Sequence, residues 1–287
     1  MPDLVITILD ASNYTLILVL VALGLAIIFG LMNVINMAHG ELLMLGAYVL
    51  LTVQQLGGSF WLGLIAAPII VGLVGLVIEE LVIRWVYRRF LDTILATWGL
   101  SLVIKQAITL YYGPASHSVD VPLASTVNVL GAQYPAYRLF IMAVSIVAVL
   151  VTLRLFFKTR FGLAARGVIA NRDMAACLGI NTRRLDRYTF AYGAALAGLA
   201  GAAMAPLISL DPQMGLGFLV PAFLAVLIGG LGSLMGPVAG SLAVGATDNL
   251  TATLYSPVWA QLVVFVMAIV VIRIFPRGLV ARHARET

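Results

Sequence analysis

Charge is what this sequence has least of. Of its 287 residues, 10% are Asp, Glu, Lys or Arg, while 62% are hydrophobic and the mean hydropathy is +1.07. A water-soluble domain carries about a quarter charged residues. A core surrounded by water could not hide this much apolar surface, so a soluble fold is excluded and the solvent must be lipid. Cysteine is nearly absent as well. Cys177 stands alone, which excludes an internal disulfide and fits no multi-cysteine metal pattern. Lysine occurs twice, at Lys105 after Val-Ile and at Lys158 after Phe-Phe. Neither follows the Gly-rich loop that cradles nucleotide phosphates, so the chain is not its own P-loop ATPase. His39, His117 and His283 are scattered over separate segments. No nucleophile or metal constellation appears, and no enzymatic role is expected. The first fifteen residues hold Asp3 and Asp10 but no basic residue. They lack the basic n-region of a secretory signal and are expected to belong to the mature chain.

What remains is apolar sequence in long runs. Hydropathy and breakers predict spans near 14–32, 41–56, 61–83, 94–112, 138–157, 188–208, 218–234, 237–254 and 258–275. Most approach the ~20 residues needed to cross the hydrocarbon. The expected fold is an all-α polytopic membrane protein of about eight to nine transmembrane helices, forming one transmembrane domain over residues 1–287. Broken or short helices are expected near 33–41 and 229–237. Gly is frequent, with 27 residues, and the small-residue runs 194–203 and 236–246 suit close helix packing.

The net charge of +5 is a topology signal rather than a nucleic-acid footprint. Three clusters hold most of the basic residues: Arg84, Arg88 and Arg89; the loop from Lys158 to Arg187; and Arg273, Arg277, Arg282 and Arg285. The connection 113–137 has neither Lys nor Arg. By the positive-inside rule the clusters are cytoplasmic and 113–137 is external. Nine segments then place the amino terminus outside and the carboxy terminus in the cytoplasm. A re-entrant hairpin over 218–254 would keep the same parity.

Polar residues inside the spans are the informative exceptions, because an unsatisfied polar group in hydrocarbon costs several kcal/mol. The stretch Gly24–Tyr48 contains Asn33, Asn36, His39 and Glu41. Two readings stand: a loop between helices with Asn and Glu as caps, or a discontinuous helix bordering a transport path. Glu80 lies four residues before Arg84, the spacing of a helical ion pair. Arg154 and Arg273 are placed to snorkel. Lys105 lies past the middle of its span, where it either snorkels toward Tyr111 and Tyr112 or joins a polar cavity with Trp98. In the loop 158–187, Asn171 suits an N-cap, Asp173 a first turn and Gly179 a C-terminal stop. The short helix between them presents Met174 and Leu178 on one face, and its alanines permit close approach by a partner.

These residues carry a resemblance. Residues 173–181, DMAACLGIN, resemble the coupling-helix region of ABC importer permeases. Residues 30–41, GLMNVINMAHGE, and 229–237, GGLGSLMGP, resemble the two signatures of permeases for branched-chain amino acids and related solutes. Residues 91–102 are most similar to the urea and short-amide branch, and Lys105 stands where that family is expected to carry Gln or an apolar residue. The resemblance implies the permease subunit of an ATP-driven importer in a bacterial inner membrane. It would move branched-chain amino acids, or urea and short amides, by alternating access. Its implied partners are a second homologous permease, two cytoplasmic ATPases that use the ATP, a periplasmic solute-binding protein and membrane lipid, with no cofactor on this chain and no nucleic acid. Asn33, Asn36, His39 and Glu41, with Gly229, Gly230, Gly232 and Ser233, would line the path or support its broken helices. Asn171, Arg172, Asp173, Met174, Ala175, Ala176, Leu178 and Gly179 would couple to the ATPase. The competing expectation is a passive channel or ion-coupled carrier, with Glu41, Asp248 or the Glu79–Glu80 pair as coupling carboxylate.

Overall fold

The computed structural model describes residues 2–87, 89–231, 233–276 and 278–280. Arg88, Gly232, Arg277, Arg282, His283 and Arg285, all named above, lie outside the described residues. The chain is helical almost throughout: α1 (Pro2–Met32), α2 (His39–Gln55), α3 (Phe60–Ile78), a π-helical turn (Glu79–Ile83), α4 (Arg84–Val86) and α5 (Phe90–Tyr112). A two-stranded hairpin follows, β1 (Thr126–Val129) and β2 (Ala132–Pro135). Then come α6 (Ala136–Lys158), α7 (Arg160–Ala170), α8 (Arg172–Cys177), α9 (Thr182–Met204), α10 (Met214–Gly229), α11 (Gly236–Leu254) and α12 (Pro257–Ile274). Several helices start where the sequence provides an oxygen for their free N–H groups. The side chains of Ser59, Thr159, Asn171, Asn181 and Ser256 each accept such a bond.

Each of the nine predicted spans falls on a helix, although that of 218–234 stops at Gly229, and six helices among the described residues are long and apolar enough to cross a membrane. Two regions differ from the expectation. The first helix begins near Pro2 rather than residue 14, because its charged Asp10 is neutralised. Arg138 and the Tyr134 hydroxyl both meet that carboxylate, and Asn13 donates to the Arg138 carbonyl at 2.8 Å. The expected irregular loop 113–137 contains the β-hairpin. Leu130 and Gly131 take positive φ (50° and 87°) in a two-residue turn, and Asn128 accepts from the Gly131 N–H at 2.9 Å.

Helix α1 is the centre. Its most apolar window is 83% buried, against 17% for those of α5 and α12, which leave most of their surface facing outward. Around α1 pack α11, α9, α6 and α10. One end of the bundle carries the hairpin; the other carries α7, α8 and their arginines, and is called the basic end here. Helix α1 runs toward the basic end and α9 runs away from it. They cross at Gly24 and Gly193, where a Cβ on either would lie 2.8 or 2.7 Å from the other's carbonyl oxygen.

Both helices end in segments that turn back into the bundle. After Met32 the chain leaves the helix for residues 33–38, and α2 starts with His39 against Val21. Val21 lies eleven residues before the end of α1, about 16 Å back along it at 1.5 Å per residue. Helix α2 therefore begins at mid-depth and runs to the hairpin end. After α9 a short 3₁₀ turn (Ala205–Leu207) and residues 208–213 return likewise, and α10 starts at Met214 beside α2. Gly40 and Gly215 meet backbone to backbone, with no room for a Cβ on either. Helix α10 then runs to the basic end, where Val280 N donates to Gly229 O at 3.1 Å. The two units, α1–α2 and α9–α10, thus repeat one plan in opposite senses, with the shorter helices starting at a common point.

The chain does break near 229–237, as expected, but this break is the turn between α10 and α11 at the basic end. The counterpart of 33–38 is 205–213, of which 205–208 were expected to continue the span 188–208 and 209–213 to lie in the connection after it. Its signals are only Pro206, Asp211 and Pro212. The Gly24–Gly193 crossing gives a test of the packing. Gly193→Val should destabilise the purified protein by about 1–3 kcal/mol or more, because overpacked backbone cannot easily yield. Gly99→Ala, inside α5 with nothing among the described residues within 4 Å of the added Cβ, should not destabilise it. Detergent-phase thermal unfolding reads both.

Candidate functional site

The first return segment is held by side chains that replace the helix's lost hydrogen bonds. Asn33 closes α1 in the left-handed region (φ 53°), its N–H donating to Phe29 O at 2.8 Å. Asn tolerates that conformation better than most residues. Its side chain is exposed, so it serves as a helix stop. Asn36 is 1% exposed, and its side-chain oxygen accepts the Ala38 N–H at 3.1 Å while its carbonyl accepts from His39 N. From α5, the Thr97 hydroxyl reaches across. It accepts the Met37 N–H at 3.2 Å and lies 3.2 Å from Ile35 O. Thr97 was not singled out in the sequence, where an isolated membrane Thr reads as an ordinary helix residue.

His39 is fully buried, with Nε2 3.1 Å from the Val21 carbonyl. A carbonyl only accepts, so that nitrogen carries the proton and Nδ1 is left without a hydrogen-bond partner among the described residues. Glu41 stands in the first turn of α2, 1% exposed, and Lys105 of α5 places Nζ 3.1 Å from its Oε1. The outward snorkelling weighed for Lys105 is overturned, because an anion at mid-depth holds the ammonium inward. Trp98, grouped with Lys105 above, instead stands 51% exposed on the outer face of α5.

The polar seam between α2 and α5 continues toward the hairpin end. Tyr48 and Tyr112 lie seven residues beyond Glu41 and Lys105, two turns along the same faces, with ring centroids 4.8 Å apart. Thr52 meets the Tyr112 hydroxyl, and His117 Nε2 lies 3.1 Å from Tyr112 O. His117 also exchanges two backbone hydrogen bonds of 2.9 Å with Leu210, tying the outer loop to the second return segment. Asn36, His39, Glu41 and Tyr48 all keep side-chain atoms that are buried without hydrogen-bond partners among the described residues.

Gly229, Gly230 and Ser233 are not part of this seam. Gly230 (φ 106°) ends α10, and the Ser233 hydroxyl accepts the Gly236 N–H at 3.2 Å to start α11. With Arg166, Ile169 and Pro276, Gly230 and Ser233 border a cleft of about 640 Å³ at the basic end.

Helix α8 has the caps the sequence predicts. Asn171 accepts the Met174 N–H at 2.9 Å, and Gly179 (φ 86°) closes the helix with bonds from Gly179 N to Ala176 O and Ile180 N to Ala175 O. Ala175 faces the bundle, while Asp173, Ala176, Met174 (59%) and Leu178 (76%) are exposed. Arg172 turns inward instead. It grips the fully buried Asp186 with two nitrogens, reaches Leu31 O at 3.4 Å and lies over the Tyr87 ring. Tyr87 donates to Glu79 at 2.9 Å, and burial followed by the charges of Asp186 and Glu79 pushes its pKa up, keeping it a donor. Glu80 pairs with Arg84 as the spacing predicts, and also with Arg183 and Arg187 of α9. The π-helical turn brings both glutamates onto these partners. Asp186 was missed because it is hidden in the basic run RRLDR.

A multi-pass helical bundle with two oppositely oriented return segments meeting beside a buried polar seam is a membrane transport subunit. The chain belongs to the family described as branched-chain amino acid transport system, permease component, whose pattern matches residues 7–272. It is 31% identical to the high-affinity branched-chain amino acid transport system permease protein LivH of Escherichia coli K12, covering 93% of this chain and 92% of that protein. Against the corresponding permease protein BraD of Pseudomonas aeruginosa the identity is 29%, with the same coverage. The xylose transport system permease protein XylH of Haemophilus influenzae is 33% identical over 48% of this chain and 40% of its own length. The family resemblance read from the sequence is borne out, and the urea branch gains no support.

The dependence of the first return segment on Thr97 can be measured. Thr97→Val keeps the shape but strands the Met37 N–H, and should cost about 1–3 kcal/mol. Hydrogen exchange at residues 35–38 should rise; unchanged protection there would show that other groups hold the segment.

Proposed function

We propose that this chain is the permease subunit of an ATP-driven importer that moves branched-chain amino acids from periplasm to cytoplasm by alternating access. The observation that carries the reading is the contact of Gly40 with Gly215, where two half-helices of opposite sense start at mid-depth. Paired interrupted helices of this kind mark the solute site of many transporters. The amino-acid substrate is favoured over urea because the similar proteins LivH and BraD are both branched-chain amino acid transport permeases.

The basic end faces the cytoplasm by the positive-inside rule, which puts the amino terminus outside after nine crossings. Two ATPase chains dock there and bind the ATP; a second permease and a periplasmic binding protein complete the complex. Met174 and Leu178 of α8 are the contact, their exposed apolar side chains entering a groove of the ATPase. Motion of α8 is passed through Arg172 to Asp186 of α9 and to the C-terminal end of α1. Those are the helices that lead into the two return segments, so a push at the basic end changes their meeting point.

Co-reconstitution with its ATPase and binding-protein chains tests the proposal. ATP-dependent accumulation of labelled leucine is expected, and Leu178→Glu should abolish ATPase stimulation while leaving the permease folded. Equilibration of leucine without ATP, or ATP-driven uptake of urea but not leucine, would overturn it.

A further inference from the structure

The Glu41–Lys105 pair has properties that a simple structural lock does not need. Its two ends come from different layers: Glu41 from the buried start of α2, Lys105 from the peripheral helix α5. Each is costly alone at mid-depth, so each requires an opposite charge close by. Yet the contact is an ion pair without a directed hydrogen bond, and neither Glu41 oxygen has a hydrogen-bond partner among the described residues. A carboxylate offers about four acceptor sites, and those of Glu41 are met among the described residues only by the charge of Lys105. Two turns further along α2 lies the buried Tyr48 hydroxyl, which also has no hydrogen-bond partner among the described residues. The pair stands next to the Gly40–Gly215 contact, where the two half-helices begin.

We infer that Glu41 and Lys105 form the site that reads the charges of an α-amino acid. When a zwitterion arrives, the pair opens and re-forms through it, with Lys105 holding the solute carboxylate and Glu41 the solute ammonium. This inference rests on the proposed role as an amino-acid permease and specifies how that role is executed. Charge balance decides the solute class. The pair is neutral overall and so is the zwitterion, so insertion turns one ion pair into two and leaves no charge uncompensated. A urea, an amide or a sugar would have to separate the two ions while replacing neither. The pair recognises the backbone that all α-amino acids share and leaves the aliphatic side chain to other contacts.

The test uses the assembled complex in proteoliposomes, with the binding protein delivering leucine. In the double variant Glu41→Gln/Lys105→Met both charges disappear together, and a buried ion pair replaced in this way commonly keeps or gains stability. Co-purification of the ATPase and binding-protein-stimulated ATP hydrolysis should persist, while leucine uptake per ATP falls at least tenfold. Uptake within twofold of wild type would overturn the inference. A second measurement needs no variant. The chain contains only two lysines, Lys105 and Lys158. With ¹⁵N-lysine in this subunit alone and ¹³C-carboxyl leucine trapped in the complex, solid-state NMR should show dipolar contact between them that Lys105→Gln removes. No contact would refute the site. If the wild-type complex moves no leucine at all, the permease reading falls and this assignment with it, an outcome distinct from normal wild-type uptake unaffected by the double variant.

Discussion

Backbone that leaves a helix inside a membrane must find its hydrogen bonds within the protein, because hydrocarbon offers none. That constraint organises this molecule. Residues 33–38 run back along α1 at a depth where every free N–H and C=O is costly, and Asn36, Thr97 and the first turn of α2 receive several of them. The second return segment is served by His117, which pairs with Leu210, and by Asp211, which accepts the Gln213 N–H at 2.7 Å. Only when both segments are satisfied can α2 and α10 start at mid-depth. Only residues without side chains can then let their backbones touch, which is the role of Gly40 and Gly215.

The same economy explains where charge is tolerated. Among the described residues, several acidic groups of the bundle have a basic partner on another element: Glu41 with Lys105, Asp10 with Arg138, Asp186 with Arg172, and Glu79 and Glu80 with the arginines of α9. A buried pair contributes little net stability but makes the loss of either member expensive. These pairs therefore fix which helices must stay together. The Arg172–Asp186 pair joins the exposed α8 to α9 and, through the Leu31 carbonyl, to the end of α1.

Much of this was legible in the sequence because it depends on local pattern. Apolar runs predicted a helix at each of nine positions, Asn171 and Gly179 bounded α8, and the four-residue spacing of Glu80 and Arg84 announced their ion pair. The break after Met32 was visible because polar residues interrupt an apolar run. The break at 205–213 was not, since Pro206 sits at the end of an apolar run and Asp211 and Pro212 beyond it look like any surface loop. Nor did local pattern couple Glu41 to Lys105, or Thr97 to residues 35–37, across sixty or more residues of sequence. Such pairings are set by how helices cross, and composition carries no record of it.

The central claim is that the two half-helices begin together in the middle of the membrane. Cryo-electron microscopy of the assembled complex in lipid nanodiscs, with and without trapped nucleotide, measures this directly. The account predicts that α2 and α10 start midway through the bilayer, with Gly40 against Gly215 in at least one nucleotide state. If either helix starts at the membrane surface, or the two glycines stay apart in every state, the account is wrong.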